Sequence, residues 1–216
     1  MAPRPDSSGP AETTRSNLIA AGFELFGTAG YAATSTRRLA ERAGTNVASI
    51  AYHFGGKAGL HAACAQAAAE RIADAVGAPR DPGAIGADAA VAALEKALRG
   101  LAALLLNGEQ AASMVGFLVR EMNASEEIVQ ILFDRFVGPK HRELCALWAA
   151  ATGRPAESEE VRLSVFSMIG QVLYFRLGQP VVLRGMGWDA VGPDEAGRIA
   201  EHLVAQLRAS IDRSRI

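Results

Sequence analysis

Between Ser35 and Gly56 the chain is punctuated into two segments of eight residues each, too short to hold a helix without something to pack on. Ser35 is a good N-cap for TRRLAERA, which Gly44 ends, and Asn46 is a strong N-cap for VASIAYHF, which Gly55-Gly56 ends. The preceding stretch supplies the support. In TRSNLIAAGFELFGTAG, Leu18, Gly22, Leu25 and Ile19, Phe23, Phe26 recur at helical spacing until Gly27 and Gly30 give the stop. Leu39, Ala40 and Ala43 on the second segment, and Ile50 and Phe54 on the third, complete a shared apolar face. Three helices joined by tight turns, the last two this short, have the proportions of a helix-turn-helix unit.

From Lys57 the rhythm changes to long helices. The alanine-rich KAGLHAACAQAAAERIADAV runs to Gly77 and reads as a connecting arm. Further helices are expected at about Asp88–Leu106, Glu109–Met122, Glu126–Phe136 and Pro139–Ala151, separated by Asn107-Gly108, Asn123-Ala124 and Gly138-Pro139. EEVRLSVFSMIGQVLYFRLG is a strongly apolar helix, and PDEAGRIAEHLVAQLRASI an amphipathic one with Ile199, Leu203, Gln206, Leu207 and Ser210 near one face. Trp188 is expected to plug its loop against the bundle, and His141-Arg142-Glu143 to be a helix surface. No segment alternates with period two, so the expected fold is all-α, about nine to ten helices in all. The expected organisation is a Pro/Ser/Gly-rich tail at 1–12, a three-helix head at 13–60 and a larger helical domain at 61–216.

Composition narrows the class. Half of the 216 residues are hydrophobic and 21% charged, which is globular composition. The N-terminus lacks the apolar core of a secretory signal, and the longest apolar run, Leu101–Leu106, is too short to span a bilayer, so a cytoplasmic protein with no membrane partner is expected. Cys64 and Cys145 form no C-x-x-C and read as small buried hydrophobes. The net charge of −1 hides an uneven distribution: residues 1–60 carry +2 and the remainder −3, with four cations against one acid in residues 31–60. That local excess suits a phosphate backbone.

On the third short helix the positions away from Ile50 and Phe54 are small or polar: Val47, Ala48, Ser49 and Ala51. Small side chains let a helix backbone enter a major groove, a serine can bond base edges, and alanine or valine methyls can meet thymine methyls. Tyr52, His53 and Lys57 offer a hydroxyl, an imidazole and an ammonium fit to grip phosphates, which position a protein without reading sequence.

The stretch from Ile19 through Leu60 resembles the N-terminal signature of the TetR family almost position by position. It carries the turn ending in Gly30-Tyr31, the Ser35-Thr36-Arg37 start of the second helix, the LAxxAG turn, and the YHFxxKxxL junction of Tyr52, His53, Phe54, Lys57 and Leu60. The resemblance implies a transcriptional regulator in which Ser35, Thr36 and Arg37 touch DNA backbone, Asn46 through His53 form the recognition helix, and Lys57 binds phosphate. Ala51 and Val47 depart from the family pattern, which often has an aromatic and a lysine there. NVASIAYHFGGK and, more weakly, GQVLYFRLGQPVVLRGMGWD resemble the CecR-like branch. That branch implies a homodimer through roughly residues 159–177 and 194–210. Independently, Val165, Ile169, Val172, Phe166, Tyr174 and Phe175 surround more of one helix than a single core face needs; the alternative is a central buried helix in a monomer.

The implied partners are double-stranded operator DNA, roughly palindromic, and a small-molecule effector whose binding relieves repression. Candidate effector-pocket residues are Met114, Phe117, Arg120, Trp148, Met168, Gln171 and Phe175, an apolar lining with polar handles; each also fits a plain core. Arg120 with Glu121 is either a buried pair or a solvated edge. Catalysis has no support: His53, His61, His141 and His202 make no metal spacing, there is no G-x-S-x-G, and Gly185, Gly187 and Gly192 make no dinucleotide fingerprint, so no cofactor is expected. The remaining alternative is a helical interaction scaffold that does not read DNA.

Overall fold

The computed structural model describes residues 9–106 and 109–216, and among them there are helices and no strand. They divide into two compact units, one holding the chain up to Ala68 with Ser113–Ile131, the other Ala69–Ala112 with Leu132–Ile216. Compactness therefore does not follow a boundary at residue 60: residues 113–131, expected in the larger domain, group with the head.

The reason lies in the packing of the first unit. Helix α1 spans Pro10–Ala33, starting before the expected Thr13 because Pro10 occupies a first-turn position where its missing N–H costs nothing, with Glu12 favourable beside it. It runs through Gly27 and breaks at Gly30, whose φ of 83° only glycine adopts without strain. Gly27 serves a different end. A Cβ there would stand 2.8 Å from the Phe117 amide nitrogen, so the glycine lets helix α6, Glu109–Met122, lie directly against α1. Phe117 is fully buried, with its ring edge-on to Phe23 at 5.5 Å. Short helices α2, Thr36–Arg42, and α3, Val47–Phe54, pack on α1 and on each other through the fully buried Leu39 and Ile50. Helix α4, Lys57–Val76, begins in this unit, buries Leu60 and sets Cys64 against Gly22 of α1. Helix α7, Glu126–Leu132, is capped by the Ser125 hydroxyl, which accepts from the Ile128 amide.

In the second unit α5, Ala87–Leu106, packs against α8, Gly138–Thr152, α9, Glu159–Leu177, and α11, Pro193–Ser214. Leu94, Leu98, Trp148, Val161, Val165, Val172, Leu203 and Ile211 form its core. A five-residue π-helical segment, Phe133–Val137, leads into α8. Helix α10, Gln179–Met186, occupies a stretch the sequence reading left without an element. Trp188 follows it, half-buried, with the Arg198 guanidinium 4.9 Å above its ring. The surface expected at His141-Arg142-Glu143 is corrected: Glu143 is buried, pairs with buried Lys140 at 2.9 Å and accepts the Arg80 amide at 3.1 Å, while His141 stacks on Phe166 at 4.2 Å. Only Arg142 of the three is exposed. Both cysteines are buried, and burial pushes the Cys145 thiol up, which keeps it protonated and unreactive.

Candidate nucleic-acid interface

The two short helices are held by their own caps. The Ser35 hydroxyl accepts from the Arg38 amide at 3.2 Å, and Asn46 Oδ1 accepts from the Ser49 amide at 2.9 Å. Each cap satisfies an orphan N–H of the first turn, and Gly55 closes α3 in the left-handed conformation. With Ile50 locked inward, the register of α3 is fixed, and the opposite face presents Val47, Ala48, Ala51 and Tyr52 to solvent, Tyr52 at 83% exposure. A nearly bare tyrosine on a cap-locked helix of otherwise small side chains makes a smooth, narrow ridge with one long polar tip.

The remaining predicted contacts sort themselves by geometry. Ser35 and Arg37 are exposed and Thr36 half-buried at the start of α2. Arg38, which the sequence reading passed over, is exposed beside Arg37, so this helix start presents two guanidinium groups; the adjacent Arg-Arg pair was the available signal. Arg42 is engaged by Glu24 at 2.6 Å, which leaves less of its charge for a partner. Ser49 is half-buried and its hydroxyl is shared with Thr45 at 2.9 Å and Asn46 at 3.2 Å, so it acts inside the cap network. His53 is half-buried with its ring edge-on to Tyr52.

Lys57 is the least expected. Its ammonium donates to the carbonyls of Tyr31 and Thr34 at 2.8 and 2.9 Å and sits 4.1 Å over the Tyr31 ring. It thereby ties the start of α4 to the end of α1, with one of its three donors left over. Buried Thr34 completes this joint, its hydroxyl 2.8 Å from the Gly30 carbonyl and 3.1 Å from that of Leu25.

Family profiles agree with this arrangement. The profile of the bacterial regulatory proteins of the tetR family matches residues 18–64, the described helices α1 to α3 and the beginning of α4. Residues 90–213 match the C-terminal domain of the HTH-type transcriptional dual regulator CecR. The chain belongs to the TetR family. It is 32% identical over 207 residues to the dual regulator CecR of Shigella flexneri, covering 91% of this chain and 90% of that one. It is 26% identical over 158 residues to the regulatory protein RaaS of Mycobacterium tuberculosis, 73% of this chain and 68% of that one. Among solved structures, AibR in complex with isovaleryl coenzyme A and operator DNA shares the fold, with a TM-score of 0.65 at 19% identity over 91% of this chain and 98% of that one. A transcriptional regulator from Pseudomonas aeruginosa PAO1 has the same TM-score at 21% identity over 97% of both chains.

As a TetR-family DNA-binding transcriptional regulator, the chain keeps its family helix-turn-helix in the first unit, and the expected effector residues divide between the two units. Met114 and Phe117 are fully buried in the first, where Arg120 lines a cleft of about 540 Å³. In the second, Trp148, Met168 and Gln171 line a groove of about 250 Å³ between α9 and α11. Phe175 is half-buried and lines neither. Arg120 and Glu121 are not a pair with each other. The Arg120 guanidinium lies 3.4 Å from the Thr28 and Ala29 carbonyls, whereas Glu121 is buried against His61.

Proposed function

We propose that two copies of the chain bind a roughly palindromic operator, one α3 per major groove, and that a small-molecule effector weakens this binding and so relieves repression. The observation that carries the reading is the outward face of α3: a cap-fixed helix showing Val47, Ala48, Ala51 and Tyr52, flanked by exposed Arg37 and Arg38. Small residues admit the helix backbone to the groove, and cations at the neighbouring helix start meet phosphates. In this reading Ser35, Thr36 and Arg37 touch the backbone, Asn46 through His53 form the recognition helix with Val47, Ala48, Ala51 and Tyr52 on its outward face, and the spare donor of Lys57 reaches a phosphate. Binding and switching, not catalysis, are its work, and it acts in the cytoplasm, where its DNA lies. Among the described residues no helix is long and apolar enough to cross a membrane.

Support for the homodimer comes from α9. Val161, Val165, Met168 and Val172 form its buried stripe, while Leu163, Phe166, Tyr174 and Leu177, at spacings of three, eight and three, form a second stripe left 52–58% exposed. Four large apolar side chains in one exposed row on a monomer are uncommon and fit a covered interface. In the second unit the groove lined by Trp148, Met168 and Gln171 also includes Leu163 of that stripe and is the proposed effector site there, while Phe175 and the first-unit residues Met114, Phe117 and Arg120 fall outside it.

Fluorescence anisotropy against the DNA flanking its own gene, with random DNA as control, tests this. Affinity falls with salt by about 0.9 log units per log unit for each phosphate contact, and Arg37→Ala lowers that slope by about one without changing sequence preference. A flat salt response, or equal affinity for random DNA, refutes it and returns the chain to the interaction scaffold.

A further inference from the structure

Within the first unit, the end of α1, the start of α4, the end of α6 and the turn into α7 line the cleft of about 540 Å³, which is open to solvent on one side. Its walls are mostly small, Gly30 and alanines such as Ala29, Ala58, Ala62 and Ala124, and its deep groups are two buried polar side chains, His61 and Glu121. Glu121 is 2% exposed and His61 8%. His61 Nε2 lies 3.2 Å from Glu121 Oε1 but outside hydrogen-bonding geometry, and among the described residues it has no other partner. A buried polar atom left without a bond costs stability, and a site that keeps one gains when a ligand satisfies it. Rings enclose the imidazole: Phe26 at 4.8 Å, Tyr31 at 4.7 Å and Phe117 at 5.6 Å.

We propose that this cleft binds a small organic ammonium ion, whose N–H groups donate to the Glu121 carboxylate and to His61 Nε2 and whose apolar body fills the alanine-lined space. Charge favours a cation. The lining carries the carboxylates Glu121 and Glu127 against one guanidinium, Arg120, and that guanidinium is directed at the Thr28 and Ala29 carbonyls at the end of α1. The Tyr31 ring adds a π face beside the imidazole. A neutral or anionic ligand leaves the buried carboxylate without a charged partner.

The site also adjoins the joint that holds the reading head. Tyr31 touches His61 on one side and carries the Lys57 ammonium on the other, and Lys57 binds the carbonyls of Tyr31 and Thr34. A ligand that draws on Glu121 and His61 changes the packing under Tyr31 and with it the seating of α2 and α3. This consequence for DNA, and only this, rests on the proposed operator binding.

The test uses the full chain and three probes of similar size and shape: 2-phenylethylammonium, 2-phenylethanol and 3-phenylpropionate, titrated calorimetrically near pH 7. The ammonium is expected to bind about tenfold or more tightly than the alcohol or the carboxylate, the discrimination a charged hydrogen bond in a buried site supplies. Glu121→Gln is expected to abolish the preference, and Ala62→Leu, which narrows the cleft from a half-exposed position on α4, to weaken the ammonium at unchanged melting temperature. Should Glu121→Gln fail to fold, the wild-type ranking of the probes and Ala62→Leu still decide. Equal binding of all three probes, no ammonium binding in the millimolar range, or binding unchanged by Ala62→Leu overturns the proposal. Because no DNA is present, failure of operator binding leaves this result intact.

Discussion

Phe166→Ala takes from the outer stripe of α9 a ring that is 53% exposed in the single chain. An aromatic side chain buries some 150–250 Å² in full, so about 100 Å² of Phe166 remains to be covered by a partner. At about 25 cal/mol per Å² this is about 2.5 kcal/mol per ring. An isologous interface contains every residue twice, so the substitution removes about 5 kcal/mol at most from one dimer. Side-chain ordering and residual hydration reduce the net effect to about 2–4 kcal/mol, a rise in the dimer dissociation constant of about thirtyfold to about a thousandfold. The monomer loses little beyond the stacking of His141 at 4.2 Å, about 1 kcal/mol. Sedimentation equilibrium over a wide concentration range reads the association, and thermal denaturation of the dilute variant checks the fold. A wild-type chain that stays monomeric at high concentration, or a variant that associates as the wild type does, refutes the reading of the stripe as an interface.

Gly27→Ala places a Cβ 2.8 Å from the Phe117 amide, backbone that cannot turn aside, and is expected to destabilise the protein by about 1–3 kcal/mol, seen as a lower melting temperature. Asn46→Ala removes the acceptor for the Ser49 amide and is expected to cost about 1 kcal/mol, with faster amide exchange in the first turn of α3 and weaker DNA binding at unchanged dimerisation. The Arg208 guanidinium, bidentate on Glu95 at 2.5 and 2.9 Å, holds that carboxyl below the 4.5 of a free glutamate. A depressed carboxyl contributes stability that is present above its unfolded value and lost as pH falls through its folded value. Arg208→Ala is therefore expected to lower stability at pH 7, and the gap from wild type to close as pH drops below about 4.5 in chemical denaturation; a gap that persists at pH 2 contradicts the cause given.

The parts of this protein that were readable in sequence are those whose physics is local. Ser35 caps α2 and Asn46 caps α3 because an N-cap acts within three residues, and Ile50 is inward because the short helix has one bulky side near its middle. The family signature added the roles of those residues. Helix α10 escaped because Gln179–Met186 is preceded by Gly178, has Pro180 in its first turn and contains Gly185, all of which read as turn signals, although a proline in the first turn suits a helix start. Lys140 and Glu143 sit three apart on α8 and look like a solvated pair; only the packing of the second unit makes them buried partners.

The cleft in the first unit shows why the rest was out of reach. Gly27 was legible only as a stop, yet the helix continues through it. A glycine inside a helix costs about 1 kcal/mol against alanine, so its presence there calls for a return elsewhere. The return is contact: without a side chain at Gly27, α6 lies backbone-close on α1 and delivers Glu121 to His61, sixty positions away along the chain. Gly30 works in the same way for Arg120, since a Cβ there would stand 2.8 Å from the Arg120 Nε. The glycines that punctuate the sequence thus also decide which charged groups reach the end of α1, where Lys57, Thr34 and Tyr31 join the reading head to α4. A side chain introduced at Gly27 meets α6 backbone and would part that helix from the joint while leaving the caps of α2 and α3 intact, whereas one at Gly30 meets only the movable Arg120 guanidinium and strains the backbone there. Melting and DNA affinity, measured together on Gly27→Ala, separate the two: loss of affinity beyond what the unfolded fraction explains marks the contact of α6 with α1 as part of how the head is held.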